Sequence, residues 1–143
     1  MATIESTLKE IAQEQFKDFS YVFDNWYDAD AKLERLEYPA ILCVMPTSGQ
    51  TEIINGRIYD TEDVAIAFLD LAPRGAEGED NEEVYTRMKV AGARFIQAIN
   101  NSKQFDPIDR IDYSIICEQL ATIVSGVMYT MKLTQRIGVC DHG

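Results

Sequence analysis

The chain has 143 residues, 46% of them hydrophobic and 26% charged, with a formal net charge of −11. That profile fits one globular domain, 1–143, large enough to bury a core without disulfide or metal staples. No apolar run approaches the roughly 20 residues of a membrane span. The first 17 residues alternate charge and apolar side chains with no signal-peptide core, so a cytoplasmic location is expected.

Ile4, Leu8, Ile11, Ala12 and Phe19 recur at helical spacing, with Glu5, Lys9, Glu10 and Glu14 on the other face. The pattern predicts an amphipathic helix over 3–18, with Thr3 as its N-cap and Ser6 as the alternative. An aromatic segment follows: Phe16, Phe19, Tyr21, Phe23, Trp26, Tyr27 and Tyr38, interleaved with Asp24, Asp28 and Asp30. Tyr21–Trp26 reads as a short strand or extended connection, and Ala29–Glu37 has room for a helical turn. These rings either pack the first helix onto a sheet or form a patch for protein contact. Stacking on nucleic acid is disfavoured because their neighbours are carboxylates.

Between Pro39 and Pro46, the run Ala40-Ile41-Leu42-Cys43-Val44-Met45 predicts a strand buried on both faces. Thr47-Ser48-Gly49-Gln50 reads as a turn. Thr51–Tyr59 and Asp63–Leu71 then read as two strands joined around Asp60-Thr61-Glu62. Asn55-Gly56, a strong turn signal, allows the first of them to be broken by a bulge or by a hairpin of its own.

Residues 73–83 open with Pro73, Gly75 and Gly78 among several acids, which predicts a flexible, solvated loop. Asp80 or Asn81 would cap the helix that follows, with Glu82 and Glu83 favoured in its first turn. Val84, Met88, Ala91, Phe95 and Ile99 form its inward stripe, Gly92 permits close approach to a sheet, and Asn100-Asn101-Ser102 stops it. The chain then carries two β-patterned runs, Arg110–Leu120 and Ser125–Ile137. In the first, Ile111, Tyr113, Ile115 and Cys117 face one way, and Asp112, Ser114, Ile116 and Glu118 the other. In the second, Val127, Tyr129, Met131 and Leu133 oppose Met128, Thr130, Lys132, Thr134 and Arg136. The expected fold is α+β: an antiparallel sheet with two helices packed on one face and a C-terminal hairpin.

The residues offer little for catalysis. His142 is the single histidine, at the extreme C-terminus, so a Ser-His or Cys-His pair is improbable. Phosphate-binding glycine motifs and the nucleophile elbow are absent. Cys43, Cys117 and Cys140 are too far apart for a zinc cluster. Asp28-Ala29-Asp30 begins like a calcium loop, but Leu33 stands at the turn glycine and Pro39 at the terminal glutamate. No enzyme activity, cofactor or metal is expected.

The charge is uneven: acids outnumber bases 19 to 6 over residues 1–83, whereas bases lead 7 to 5 over 84–143. No clustered basic footprint for nucleic acid is present. The acidity serves solubility, a complementary neighbouring subunit, or a channel wall that DNA passes without sticking.

An amphipathic helix, an aromatic-acidic connection, Tyr38-Pro39 opening an apolar strand, a β-pair, a long helix and a hairpin ending Gly126-Val127-Met128-Tyr129-Thr130-Met131-Lys132-Leu133-Thr134 together resemble the tail terminator (tail completion, or head–tail joining) proteins of long-tailed bacteriophages. The resemblance spans nearly the whole chain and rests on element order rather than on a sharp motif. It implies a structural subunit that forms a homo-oligomeric ring, commonly a hexamer, capping the tail tube. Its partners would be copies of itself, tube proteins and neck proteins. DNA would pass its channel without specific binding, and the protein would move from the cytoplasm during assembly to the virion tail or neck. It also implies subunit contacts from the region of the β-pair and the acidic loop, for which Arg57, Arg74, Glu77, Glu79 and Asp80 are the candidates. The alternative is a small binding module that uses segment 19–38, with Trp26 and Tyr27 as its anchors.

Overall fold

A computed structural model describes residues 3–25, 36–72, 78–119 and 124–137, with the backbone alone at 117–119. Helix α1 spans Ile4–Gln15. Its cap is the expected one: the Ser6 amide donates to Thr3 Oγ1 at 3.0 Å. The helix stops short of residue 18 because Phe16 leaves helical geometry, so the Phe16 ring turns into the core and packs edge-on to Phe19.

Among the described residues six strands follow: β1 Ser20–Asp24, β2 Ala40–Val44, β3 Gly49–Ile54, β4 Arg57–Leu71, β5 Asp112–Gln119 and β6 Val124–Ile137. They form one sheet of order β1-β2-β4-β6-β5, with β3 also on β4. The sheet is antiparallel except for β1, which runs parallel to β2. This departs from a wholly antiparallel sheet, and its cause is the 25–39 connection, long enough for the crossover that parallel neighbours require.

The paired strands expected in mid-chain are present, but their junction is not at Asp60-Thr61-Glu62. The hairpin turns at Asn55-Gly56, where both residues adopt positive φ (52° and 79°), as a type I′ turn demands. Residues 60–62 lie inside β4, and Gly49 and Gln50 belong to β3 rather than to a turn. β4 is therefore 15 residues long and offers one edge to two strands in succession, β3 at 57–62 and β2 at 65–69.

Helix α2 spans Gly78–Ser102 and begins before the expected caps, so Asp80 and Asn81 lie in its first turn. Asn81 is buried there and accepts a hydrogen bond from Ser125 Oγ, which ties the helix start to β6. At the far end Lys103 takes a left-handed φ of 60°. The Asn100 side chain then clamps the departing chain, its Nδ2 donating to the Ile108 carbonyl and its Oδ1 accepting from the Ile108 amide, both at 2.8 Å.

Both helices pack on one sheet face. Ile4, Leu8 and Ile11 from α1 and Val84, Met88, Phe95 and Ile99 from α2 share a cluster with inward residues of β2, β4 and β6. Ring contacts thread it from Phe16 to Phe95 (5.3 Å), Phe68 (5.5 Å) and Tyr129 (6.0 Å). The other face holds a smaller cluster of Leu42, Ala67, Leu69, Ile116 and Val124, against which Leu36 and Tyr38 pack. Two-sided burial explains the unbroken apolar run of β2.

In β6, Val127, Tyr129, Met131 and Leu133 are buried as the alternation predicts. β5 differs: Tyr113 and Ile115 are about half exposed, and Ile116 is the buried residue. As an edge strand, β5 lies outboard of α2, so its helix-side residues go only partly covered.

Gly92 sits where α2 crosses β6, and a methyl group there would run into the Tyr129 ring. That ring is held by Phe68 and by its hydroxyl, which donates to the Lys89 carbonyl at 3.2 Å. Overpacking of this kind costs about 1–3 kcal/mol. Gly92→Ala is expected to lower the unfolding free energy by that amount, read as a lower urea midpoint with the slope of the transition unchanged.

Candidate interaction surface

The helices cover only part of the sheet. From Arg57 to Glu62, β4 is flanked by β3 and by the last residues of β6, Leu133 to Ile137. These three stretches make an arm that continues the sheet past its core. Every residue of β3 is exposed, Ile53 at 72% and Ile54 at 48%. Side chains alternate across a strand, so each register row puts its residues on one face. Ile53, Ile58 and Ile137 form one row on the helix-side face. Glu52, Tyr59 and Arg136 form the adjacent row on the opposite face.

Polar contacts tie the outer face together. Asp63 Oδ1 accepts from Lys132 Nζ at 2.8 Å, and Asp63 Oδ2 accepts from Ser48 Oγ at 2.6 Å. These bonds, that from Lys132 first, hold the Asp63 carboxyl below its ordinary range. Thr61 and Thr134 hydroxyls meet at 2.7 Å. On the helix side, burial and then the charge of Asp60 raise the Glu62 carboxyl.

Where β5 begins, at Asp112 opposite Thr130, β6 continues past it with β4 alone as its paired strand, and the 107–111 connection approaches its open side. The Asp106 amide donates to the Thr134 carbonyl at 3.1 Å. A recess of about 680 Å³ opens between them, lined by Asp63, Asp109, Arg110, Asp112, Met131 and Lys132. Its charges are mixed and it is wide open, so it sets no defined electrostatic demand on a ligand.

Two groups with reactive chemistry lie at the core instead, Cys43 buried and Tyr21 half-buried. Cys43 lies 1% exposed beside Tyr21, whose hydroxyl donates to Glu5 Oε1 at 3.1 Å. Burial pushes the Cys43 thiol up to about 12 and raises the Tyr21 phenol as well. At neutral pH neither supplies a nucleophile or a proton donor of useful strength. Among the described residues no group of three or more His, Cys, Asp or Glu side chains is placed to hold a metal ion, and no helix is long and apolar enough to cross a membrane.

Of the contact candidates, Arg57 is exposed at the arm tip, whereas Glu79 and Asp80 are exposed in the first turn of α2. The Asn81–Ser125 bond fixes that turn at the other end of β4, since Ser125 pairs with Asp70. At about 3.3 Å per residue, some 13 residues of β4 put roughly 40 Å between the two groups. The structure therefore does not bring them together. Trp26, Tyr27, Arg74, Glu77, Cys140, His142 and most of the 29–37 segment lie outside the described residues. The described rings Phe19, Tyr21 and Phe23 pack against the core. Ile53, Ile54 and Arg136 were not among the sequence candidates. For the isoleucines the signal was Asn55-Gly56, which makes them neighbours on opposite faces of a hairpin tip, whereas for Arg136 it was only its place in the β6 alternation.

Neither the protein-family models nor the curated proteins contain a match to this chain.

Two measurements test this electrostatic picture. In a Cys117→Ser/Cys140→Ser background, Cys43 in native protein should react with iodoacetamide about a thousandfold more slowly than in urea at pH 8. For Glu62, the raised folded value means that its contribution favours folding at low pH and is lost as pH rises through that value. Glu62→Gln should therefore stabilise the protein at pH 7, and the gain should vanish below the ordinary carboxylate pKa of about 4.3 in denaturation curves.

Proposed function

We propose that the protein is a structural subunit of a bacteriophage or prophage tail or neck, of the tail-terminator kind, working as a ring that caps the tail tube. The observation that supports this reading most is the three-stranded arm, an extension of the core sheet that carries exposed apolar residues on β3 and, Leu133 apart, adds no described residue to the apolar cluster that α1 and α2 share. It accompanies the element order on which the resemblance rests: helix, strands, long hairpin, helix, closing hairpin. A surface of this type suits head-to-tail packing, in which one patch meets a different patch on the next copy and closure of the rotation gives a ring.

The inert state of Cys43 and Tyr21 fits a protein whose task is assembly rather than turnover. The excess of acids in the first 83 residues suits a channel that carries DNA without retaining it. Partners would be further copies of the chain, the tube protein and a neck protein. The described rings of segment 19–25 are engaged with the core, so no observation favours a binding module built on them.

Sedimentation of the full chain over a wide concentration range, alone and with tube fragments, should show a closed oligomer, and negative-stain images should show rings. A monomer under every condition would sink the proposal.

A further inference from the structure

We infer that the two outer edges of the arm are the mating surfaces of successive subunits: β3 of one copy lies beside Gln135–Ile137 of β6 in the next. This rests on the ring-subunit reading and specifies the contact that reading leaves open.

Within the arm β3 and β6 are both antiparallel to β4, hence parallel to each other, with β3 on one margin and β6 on the other. Among the described residues no strand pairs with the outer margin of β3, or with β6 beyond the Asp106–Thr134 bond. A second copy set beside the first by rotation about an axis near the strand direction would bring its β3 margin to this β6 margin. The contact joins different surfaces, as ring closure requires.

Register supplies the complementarity. On one face each arm ends in Ile53 at its β3 margin and Ile137 at its β6 margin, with Ile58 between them. Two arms side by side would continue that row as an unbroken isoleucine band, covering Ile53, the most exposed large apolar residue described. On the other face the margins carry Glu52 and Arg136, with Tyr59 between. The same register that joins the isoleucines places Glu52 of one copy opposite Arg136 of the next. A slip by one residue would put each set on the wrong face. A slip by two would set Arg136 against Gln50 or Ile54. Opposite charges directly across a strand pair favour the in-register contact.

The test uses the full chain with Cys117→Ser and Cys140→Ser. Neighbouring strands lie about 4.8 Å apart, within the range a disulfide spans. Ile53→Cys with Ile137→Cys in one chain should give an oxidised ladder up to the ring size, whereas either substitution alone should give none. Glu52→Arg and Arg136→Glu should each abolish assembly while circular dichroism shows each variant folded, and the double exchange should restore it. Parent rings with no ladder and with unaltered assembly of both charge variants would overturn the edge contact and leave the ring reading standing. Dimers from Ile53→Cys alone would also overturn it, by showing a two-fold contact. A parent that never assembles would overturn both.

Discussion

Everything in this molecule hangs from the ladder between β4 and β6. Fourteen residue pairs, from Ile58–Ile137 to Leu71–Val124, run the full length of the sheet. At its Leu71 end the ladder presents Phe68, Ile66, Val127 and Tyr129 to the helices and Leu69, Ala67 and Val124 to the second cluster. At its Ile58 end the same two strands carry Tyr59, Asp60, Thr61 and Gln135, all half-buried, and Arg136, which is exposed. One continuous pairing thus has a hydrophobic half that anchors the fold and a half whose side chains meet solvent. Backbone hydrogen bonding is what lets the second half stand, because the first half fixes its register and twist.

That division explains where chemistry is and is not available. Burial in the first half raises the Cys43 thiol and also the phenol of Tyr21, which is half-buried and bonded to Glu5, so neither ionises readily at neutral pH. The exposed half concentrates apolar and charged groups in alternating rows, the arrangement through which strands recognise one another. Where α2 crosses the ladder, its approach is set by Gly92 over Tyr129, and its start is pinned by the Asn81–Ser125 bond. The helix is therefore tied to the ladder both at its start and at its middle.

Periodicity made much of this legible. The stripes of α1 and α2, the Thr3 cap, the two-faced strand at Ala40 and the alternation of β6 all follow from burial on a regular element, and each shows in the spacing of apolar residues. The arm departs from its local signals at Gly49-Gln50 and at Asp60-Thr61-Glu62 for the complementary reason. Asp60-Thr61-Glu62 looked like a turn because polar residues usually mark one, yet here they belong to a strand with no core to face. The parallel placement of β1 depends on a long connection and on no local pattern. The half-exposed state of Tyr113 and Ile115 follows from how far α2 reaches across the sheet, which their alternation could not convey. As for the contact candidates, charge and loop character drew attention to Glu79 and Asp80, but only the topology shows that they and Arg57 occupy opposite ends.

The spacing of the ladder along the chain bears on biogenesis. Its partners are 53 to 79 residues apart in sequence, so loop closure must precede any gain from pairing, a signature of slow folding. On the ribosome, β4 emerges well before β6 and waits with the apolar stretch Val64–Leu71 uncovered on one edge. Until the strand that begins at Val124 arrives, that waiting edge is open to the wrong partner, including the same strand on a neighbouring nascent chain. A cell making many copies at once therefore meets its greatest hazard during translation, and chaperone capture of the unfinished polypeptide would be the natural safeguard.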